Sequence, residues 1–151
     1  HENEKDTYGD IPERCLDLIE TFGGRLKCIF DPANFIQSGA RPADAYALLK
    51  KHIFYFHMKD ALHEDGSVVP CGMGDGGIAD ILRDFGGGET VLTIEPHLKV
   101  FAGLSGLQGE ALHNKFTYSD NRAAFRAAVS AVKSLLTDMG YQEKEINRWT
   151  K

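Results

Sequence analysis

The sequence has few cysteines, and no two of them are close together. Its 151 residues include only Cys15, Cys28 and Cys71, without a C-x-x-C spacing. A disulfide framework or a zinc knuckle is therefore not expected to hold the fold together. Cys15 and Cys28 stand among apolar neighbours and are predicted to be buried thiols, a use of cysteine that favours a reducing cytoplasm.

Long apolar runs and clusters of basic residues are also missing. No run approaches the roughly 18 apolar residues that span a bilayer, and the polar N-terminus, residues 1–6, does not resemble a signal peptide. The 17 basic residues are scattered and outnumbered by 22 acidic ones, which gives a net charge of −5. No patch favours binding to a phosphate backbone. We therefore expect a cytoplasmic globular domain without membrane or nucleic-acid partners.

Short apolar strands alternate with helices along the chain. Strands of about five residues separated by helices of ten or more are typical of βαβ units and a parallel sheet. The predicted fold class is therefore α/β, and residues 141–151 are expected to form a polar tail or a short surface helix. The predicted helices are Pro12 to Phe22, Pro42 to Lys51, Ile78 to Phe85 and Asn121 to Met139, and the strands are Leu26 to Phe30, Ile53 to His57 and Thr90 to Ile94.

A residue that can bind a metal ion stands at the end of each predicted strand. Asp31, His57 and Glu95 are separated by 26 and 38 residues, one βα unit each, and the carboxyl ends of parallel strands share one face. Glu2 lies 29 residues before Asp31 and extends the series. Glu4 is the alternative, because strand residues two apart share a face. We predict a metal centre formed by Glu2, Asp31, His57 and Glu95.

Five short segments, HENEKD, FDPANF, FHMKDA, VVPCGMGDGG and TIEPHL, occur in this order. Their order and spacing resemble the xylose isomerase-like superfamily, whose sugar isomerases, ketose epimerases and type IV AP endonucleases share a metal-centred (β/α)₈ TIM barrel. The resemblance implies that residues 1–151 are a single partial domain, the C-terminal half of the barrel. A full barrel needs eight strands and about 250 residues. A fragment or a split protein is expected, with the missing N-terminal half as a partner and a homo-oligomer left open.

In the epimerases of this superfamily, a Glu, an Asp, a His and a second Glu bind one divalent ion, and the resemblance carries that role over to the four predicted ligands. Three carboxylates and an imidazole favour Mn²⁺, Mg²⁺ or Co²⁺, with Zn²⁺ a further candidate. Such an ion can stabilise the enediolate formed beside a sugar carbonyl. Glu2 and Glu95 are the predicted catalytic pair: one removes a proton and the other returns one. The expected function is a sugar or sugar-phosphate isomerase or epimerase of carbohydrate metabolism.

Asn34 and Lys59 are the candidate substrate-binding residues. The position of Asn34 resembles a substrate contact of the epimerases, and a turn-stabilising asparagine is the alternative. Lys59 follows the predicted histidine ligand by two residues and faces the same way if the strand continues; an ion pair with Asp60 or another acid is the alternative. The glycine-rich segment 72–77 could also offer backbone N–H groups to an anion.

Two other functions stay open. A phosphodiesterase of the type IV AP endonuclease branch would have a three-zinc site with additional histidines. The resemblance requires a His where Asn34 stands and an Asp-x-His pair that the segment from His63 to Val69 lacks. A non-catalytic half-barrel is the third hypothesis. The sugar, the metal and the choice between isomerisation and epimerisation are not fixed by the sequence, because specificity lies in loops.

Overall fold

The computed structural model describes residues 1–86, 88–100 and 116–151. Within these ranges no helix has the length and hydropathy needed to cross a membrane. The helices of the described residues are α1 (Pro12–Thr21), α2 (Pro32–Gln37), α3 (Pro42–Leu49), α4 (Ile78–Phe85) and α5 (Asn121–Asp138). The strands are β1 (Cys28–Phe30), β2 (Ile53–Met58), β3 (Asp60–Ala61), β4 (Val68–Val69), β5 (Leu92–Ile94), β6 (Gln142–Glu145) and β7 (Arg148–Thr150).

Three parallel strands form the central sheet, in the order β1-β2-β5. Phe30, the last residue of β1, pairs with Phe56, so the strands end at the same edge of the sheet. A parallel bridge between Glu2 and Ile29 adds the start of a fourth strand beside β1. The predicted α/β class, with parallel strands alternating with helices, is confirmed.

The helices cover one face of this sheet. Strand alternation places Phe56 and Met58 on the covered face, where each is 2% exposed, and turns Tyr55 and His57 to the opposite face. Burying each large apolar side chain contributes about 1.5–3 kcal/mol, so the packing determines which face His57 occupies. At the centre of the core, the ring of Phe30 contacts the rings of Phe35, Tyr46 and Phe56.

The predicted strands and the four predicted helices are all present, with ends that shift by a few residues. The predicted burial of Cys15 and Cys28 is confirmed. The sequence does not predict the two-residue strands β3 and β4, which pair antiparallel, and it does not predict helix α2. Asp31 and Pro32 end β1 and also begin this helix, with Asp31 as the N-cap and Pro32 in the first turn. These residue types mark both a strand end and a helix start, so the six-residue helix is hidden between them.

The prediction of a polar tail or a short surface helix for residues 141–151 is wrong. Strands β6 and β7 pair as an antiparallel hairpin, and Asn147 in its turn has a positive φ of 60°. Trp149 packs against the main core from the side of α5, and Lys133 of that helix forms a 2.8 Å ion pair with Glu143. The hairpin buries few apolar side chains, so its sequence lacks the hydrophobic alternation that would predict it.

Candidate metal centre

Four side chains from neighbouring strand ends meet at the carboxyl edge of the central sheet. Glu2, Asp31, His57 and Glu95 each offer one ligand atom, and these atoms lie within 4.8 Å of one another. Nδ1 of His57 lies 2.8 Å from Oε1 of Glu2, 3.5 Å from Oε2 of Glu95 and 3.7 Å from Oδ2 of Asp31. The structure thus brings together all four predicted ligands, and leaves the alternative, Glu4, exposed and outside the group.

The parallel register accounts for this convergence. Glu2 bridges to Ile29 of β1, Asp31 directly follows β1, His57 lies near the end of β2, and Glu95 directly follows β5. Neighbouring strands are about 4.8 Å apart. Side chains at the same level on adjacent strands therefore come close enough to share one ion.

Asp31 is fully buried, and its two carboxylate oxygens have different surroundings. Oδ1 accepts a 2.9 Å hydrogen bond from the backbone N–H of Asn34 and so caps helix α2. Oδ2 makes no hydrogen bond of good geometry among the described residues, but it forms a 3.0 Å ion pair with Lys59. The cap fixes the orientation of the carboxylate, because one oxygen is held by the helix while the other is turned toward His57.

Asn3 is a positioning residue that sequence reasoning misses. Its side-chain amide donates to the backbone carbonyl of Asp31 at 2.9 Å and accepts from the backbone N–H of Asp31 at 3.0 Å. The side chain of Asn3 is fully buried, although a glutamate precedes it and another follows it in the sequence. Alternation along the N-terminal strand could have indicated it, since a residue next to an inward-facing Glu2 must face the other way.

The surroundings of the ligand atoms test whether these residues fit a metal ion. Oδ2 of Asp31 and Nδ1 of His57 are buried, and their near contacts are other members of the cluster, Lys59 at 3.0 Å and Glu2 at 2.8 Å. Three carboxylates therefore face one imidazole with a single buried ammonium beside them, and a bound cation would relieve their mutual repulsion. Three carboxylates and one imidazole suit a hard or borderline divalent cation. The residues present therefore fit one divalent ion.

Lys59 lies beside the same carboxylates and is only 3% exposed. Its ammonium nitrogen is 2.7 Å from Oε2 of Glu95 and 3.0 Å from Oδ2 of Asp31. Of the two alternatives for this residue, the ion pair is present, but its partners are Asp31 and Glu95 and not Asp60. A contact between Lys59 and substrate stays a prediction.

Asn34 is buried behind the glutamates. Its side-chain amide donates to Glu2 at 3.3 Å and to Glu4 at 3.4 Å, both long hydrogen bonds. Its backbone N–H is the group that Asp31 caps. The residue therefore connects helix α2 to the N-terminal strand, and its contact with substrate also stays a prediction.

The charges of the centre shift the pKa values of its members in different directions. The Asp31 carboxylate, at 3.7 Å too distant for a hydrogen bond, raises the pKa of His57 against the effect of burial, and the two glutamates add to the rise. Burial raises the pKa of Glu2, and His57 partly opposes that shift. Burial would also raise the pKa of Glu95, but the hydrogen bond and the charge of Lys59 bring it below its ordinary value. Two carboxylates with pKa values moved apart are typical of acid–base pairs.

The carboxylate of Asp60 is enclosed by the glycine-rich segment that follows Asp60 in the sequence. Its carboxylate accepts hydrogen bonds of 2.9–3.0 Å from the backbone N–H groups of Gly72, Gly74, Gly76 and Ala61. A Cβ atom on Gly74 would lie 2.5 Å from the carbonyl oxygen of Ala61, so the loop has no space for a side chain there. The hypothesis of an external anion site at residues 72–77 is therefore not supported: these N–H groups already bind an internal anion, Asp60.

Comparison with protein-family models finds no match, and comparison with curated proteins finds none either. Among solved structures, the chain is similar to a xylose isomerase domain protein from Planctomyces limnophilus, with 20% identity and a TM-score of 0.57 over 92% of this chain and 46% of that chain. It is also similar to the probable 3-DHS dehydratase AsbF, involved in the petrobactin synthesis, from Bacillus anthracis, with 20% identity and a TM-score of 0.54 over 76% of this chain and 48% of that chain. The chain spans about half the length of both structures. It therefore has the fold of one half of a xylose isomerase-like TIM barrel.

Proposed function

We propose that this chain is the metal-binding half of a divalent-metal-dependent sugar or sugar-phosphate isomerase or epimerase. The observation that supports this most is the convergence of Glu2, Asp31, His57 and Glu95, whose ligand atoms lie within 4.8 Å of one another at the carboxyl edge of a parallel sheet. In TIM barrels this edge carries the active site. The three carboxylates of the group repel one another, and a bound cation would relieve that repulsion.

The four residues would hold Mn²⁺, Mg²⁺ or Co²⁺, with Zn²⁺ a further candidate. When bound, the ion supplies Lewis-acid stabilisation of the negative oxygen that develops beside the substrate carbonyl. Glu95, kept ionised by Lys59, can accept the substrate proton at Oε1, because Oε2 is held by the lysine. Glu2, the second glutamate of the group, can return a proton to the substrate. Removal and return of a proton on opposite faces of one carbon gives epimerisation, and transfer of a proton between neighbouring carbons gives isomerisation.

Asn34 and Lys59 are the proposed substrate contacts of this half. Both side chains carry nitrogen donors next to the catalytic glutamates, Asn34 beside Glu2 and Lys59 beside Glu95. Donors at these two places can bind the hydroxyl oxygens of a carbohydrate on either side of the ion.

The proposed enzyme also needs a partner for the open face of the sheet. Val91 directly precedes β5, and strand alternation places it on the same face of the sheet as His57. It is 59% exposed, which is unusual beside a parallel strand. We propose that the N-terminal half of a barrel, in the same or a separate polypeptide, covers this region. Residues 1–151 would then be one partial domain of the complete barrel.

Among the described residues, only one group of possible metal ligands is found. A single ion fits this group, whereas the type IV AP endonuclease branch needs three zinc ions. Asn34 contributes to the same distinction, because it binds Glu2 where that branch requires a histidine ligand. The geometry therefore favours the isomerase or epimerase over the phosphodiesterase.

The deciding test of the metal centre is the binding of Mn²⁺, measured by isothermal titration. We expect one ion per chain in the unmodified protein and an affinity at least about tenfold weaker in His57→Ala, because a ligand is lost. His63→Ala is the matched control, since His63 is exposed and lies outside the group. Equal affinities in all three proteins would refute the assignment of His57 as a ligand.

The deciding test of the chemistry is the exchange of Glu for Gln in the enzyme that contains the complete barrel. Glu2→Gln and Glu95→Gln keep the size of the side chain and one carbonyl oxygen but cannot accept a proton. Each should reduce kcat by about 10² to 10⁴ at saturating Mn²⁺. The double variant should lose less than the two single losses combined. Near-normal turnover of aldose or ketose substrates in either variant would remove that glutamate from the proton transfer.

A further inference from the structure

We propose that Lys59 is a built-in cation that limits the centre to a single divalent ion. This inference rests on the proposed metal-binding function and deepens it. Lys59 lies between β2 and β3, and its ammonium occupies the space between two of the candidate ligands, at 2.7 Å from Glu95 and 3.0 Å from Asp31. A second cation held by these two carboxylates would have to share this space with the ammonium.

The charge of the cluster supports this role. Three ionised carboxylates and one ammonium leave a charge of −2, since the imidazole of His57 must be neutral to bind a metal. One divalent ion cancels that charge. Without the ammonium the charge would be −3, and one divalent ion would leave an uncompensated buried carboxylate, which is unfavourable.

Among the residues that the structure describes, Lys59 has no ion pair outside the cluster that would explain its burial. The buried carboxylate of Asp60 is next to it in sequence, but the hydrogen bonds of that carboxylate come from four backbone N–H groups. The salt bridges of Lys59 found in the described part of the chain are those with Asp31 and Glu95. The other basic group near the cluster, His97, is exposed and 4.0 Å from Glu95. Removal of Lys59 therefore removes the one buried ammonium among the described residues that faces these carboxylates.

The test is the number of Mn²⁺ ions bound per chain and their affinity in Lys59→Met, measured by isothermal titration and by elemental analysis after gel filtration. Methionine keeps a long unbranched side chain and removes the charge. We expect a second bound ion, and an affinity for the first at least about tenfold higher than in the unmodified protein, because a nearby positive charge is lost. A single bound ion, at any affinity, would overturn the limit on the ion count. Lys59→Arg, which keeps the charge, should still bind one ion.

Lys50→Met is the matched control. It changes the net charge by the same amount, but Lys50 precedes β2 at the opposite end of the strand and forms an exposed 3.7 Å ion pair with Asp84. Its Mn²⁺ stoichiometry and affinity should equal those of the unmodified protein. A rise in affinity as large as that of Lys59→Met would show a general effect of net charge and overturn the inference.

Other outcomes separate the role of Lys59 from the existence of the metal centre. One ion bound by Lys59→Met, at any affinity, overturns the inference and leaves the centre intact. Absence of Mn²⁺ binding in every protein overturns both. Lys59→Gln is the second neutral variant, since its amide can still donate to Glu95. If circular dichroism shows that neither neutral variant folds, with or without Mn²⁺, Lys59 is required for folding instead of for the ion count, and the inference fails.

Discussion

Two buried aspartates, Asp31 and Asp60, stand near neighbouring strand ends and are 0% and 1% exposed, but their hydrogen bonds differ. Asp60 accepts four backbone N–H groups, and both of its oxygens are used. Asp31 uses one oxygen to cap α2 and leaves the other without a hydrogen bond among the described residues. The second oxygen of Asp31 forms a 3.0 Å ion pair with Lys59 inside the acidic cluster. Since a buried carboxylate needs partners for its oxygens, Asp60 is fully held by its own loop and belongs to the scaffold, whereas Asp31 shares one oxygen with the groups of the candidate metal centre.

The largest expected effect on stability comes from removing the satisfied carboxylate. Asp60→Ala leaves four backbone N–H groups of a closed loop without their acceptor, and we expect a loss of about 3 kcal/mol or more in the free energy of unfolding. Asp31→Ala should cost less, about 1–2 kcal/mol: it removes a helix cap and one of the two ion pairs of Lys59, but it also relieves repulsion within the acidic cluster. Urea unfolding of both variants in EDTA measures the difference. Equal losses would contradict the division into a scaffold acid and a ligand acid.

The sequence predicts the role of Asp31 better than that of Asp60. Asp31, His57 and Glu95 follow apolar strands at intervals of one βα unit, and the geometry of a parallel sheet then brings them together. The partners of Asp60 are backbone N–H groups at positions 72 to 76, whose directions depend on an irregular loop. Residue types do not encode those directions. The same limit hides Asn3, which acts on the backbone of Asp31.

The second effect is stabilisation by Mn²⁺. It should be lost when Asp31 is changed and kept when Asp60 is changed, the reverse of the order expected for stability without metal. A ligand that binds only the folded state adds about 2.7 kcal/mol at a concentration 100 times its Kd. Mn²⁺ should therefore raise the Tm of the unmodified protein and of Asp60→Asn, but not that of Asp31→Ala, which lacks a ligand. Calorimetry with and without Mn²⁺ measures the shifts. A full Mn²⁺ shift in Asp31→Ala would show that Asp31 does not bind the ion.

The third effect tests how closely the loop encloses Asp60. A Cβ atom on Gly74 would approach both the Ala61 carbonyl and the Asp60 carboxylate to 2.5 Å, so Gly74→Ala must displace backbone and should cost about 1–3 kcal/mol. Gly88→Ala is the control, because outside its chain neighbours no described residue lies within 4 Å of the added atom there. That variant should stay within about 0.5 kcal/mol of the unmodified protein. If thermal unfolding shows equal stability for both variants, the loop adapts and does not enclose Asp60 tightly.

The smallest effect is the pH dependence of stability without metal, and it arises from the cluster around Asp31. The Asp31 carboxylate, with Glu2 and Glu95, raises the pKa of His57 above its ordinary 6.5. A histidine whose pKa is higher in the folded state binds protons more strongly there, so its contribution to stability is fully present below pH 6.5 and is lost as the pH rises through the folded pKa. In EDTA, the free energy of unfolding should therefore fall as the pH rises from about 6.5, and His57→Gln should remove this slope. His63→Gln is the control: the imidazole of His63 is exposed, and that variant should keep the slope of the unmodified protein.

With saturating Mn²⁺ the pH dependence of stability should reverse, because the ion competes with the proton for the imidazole of His57 and binds more tightly as the pH rises. Urea unfolding at several pH values, with and without Mn²⁺, measures both slopes; a slope that persists in His57→Gln would assign the pH dependence to another group.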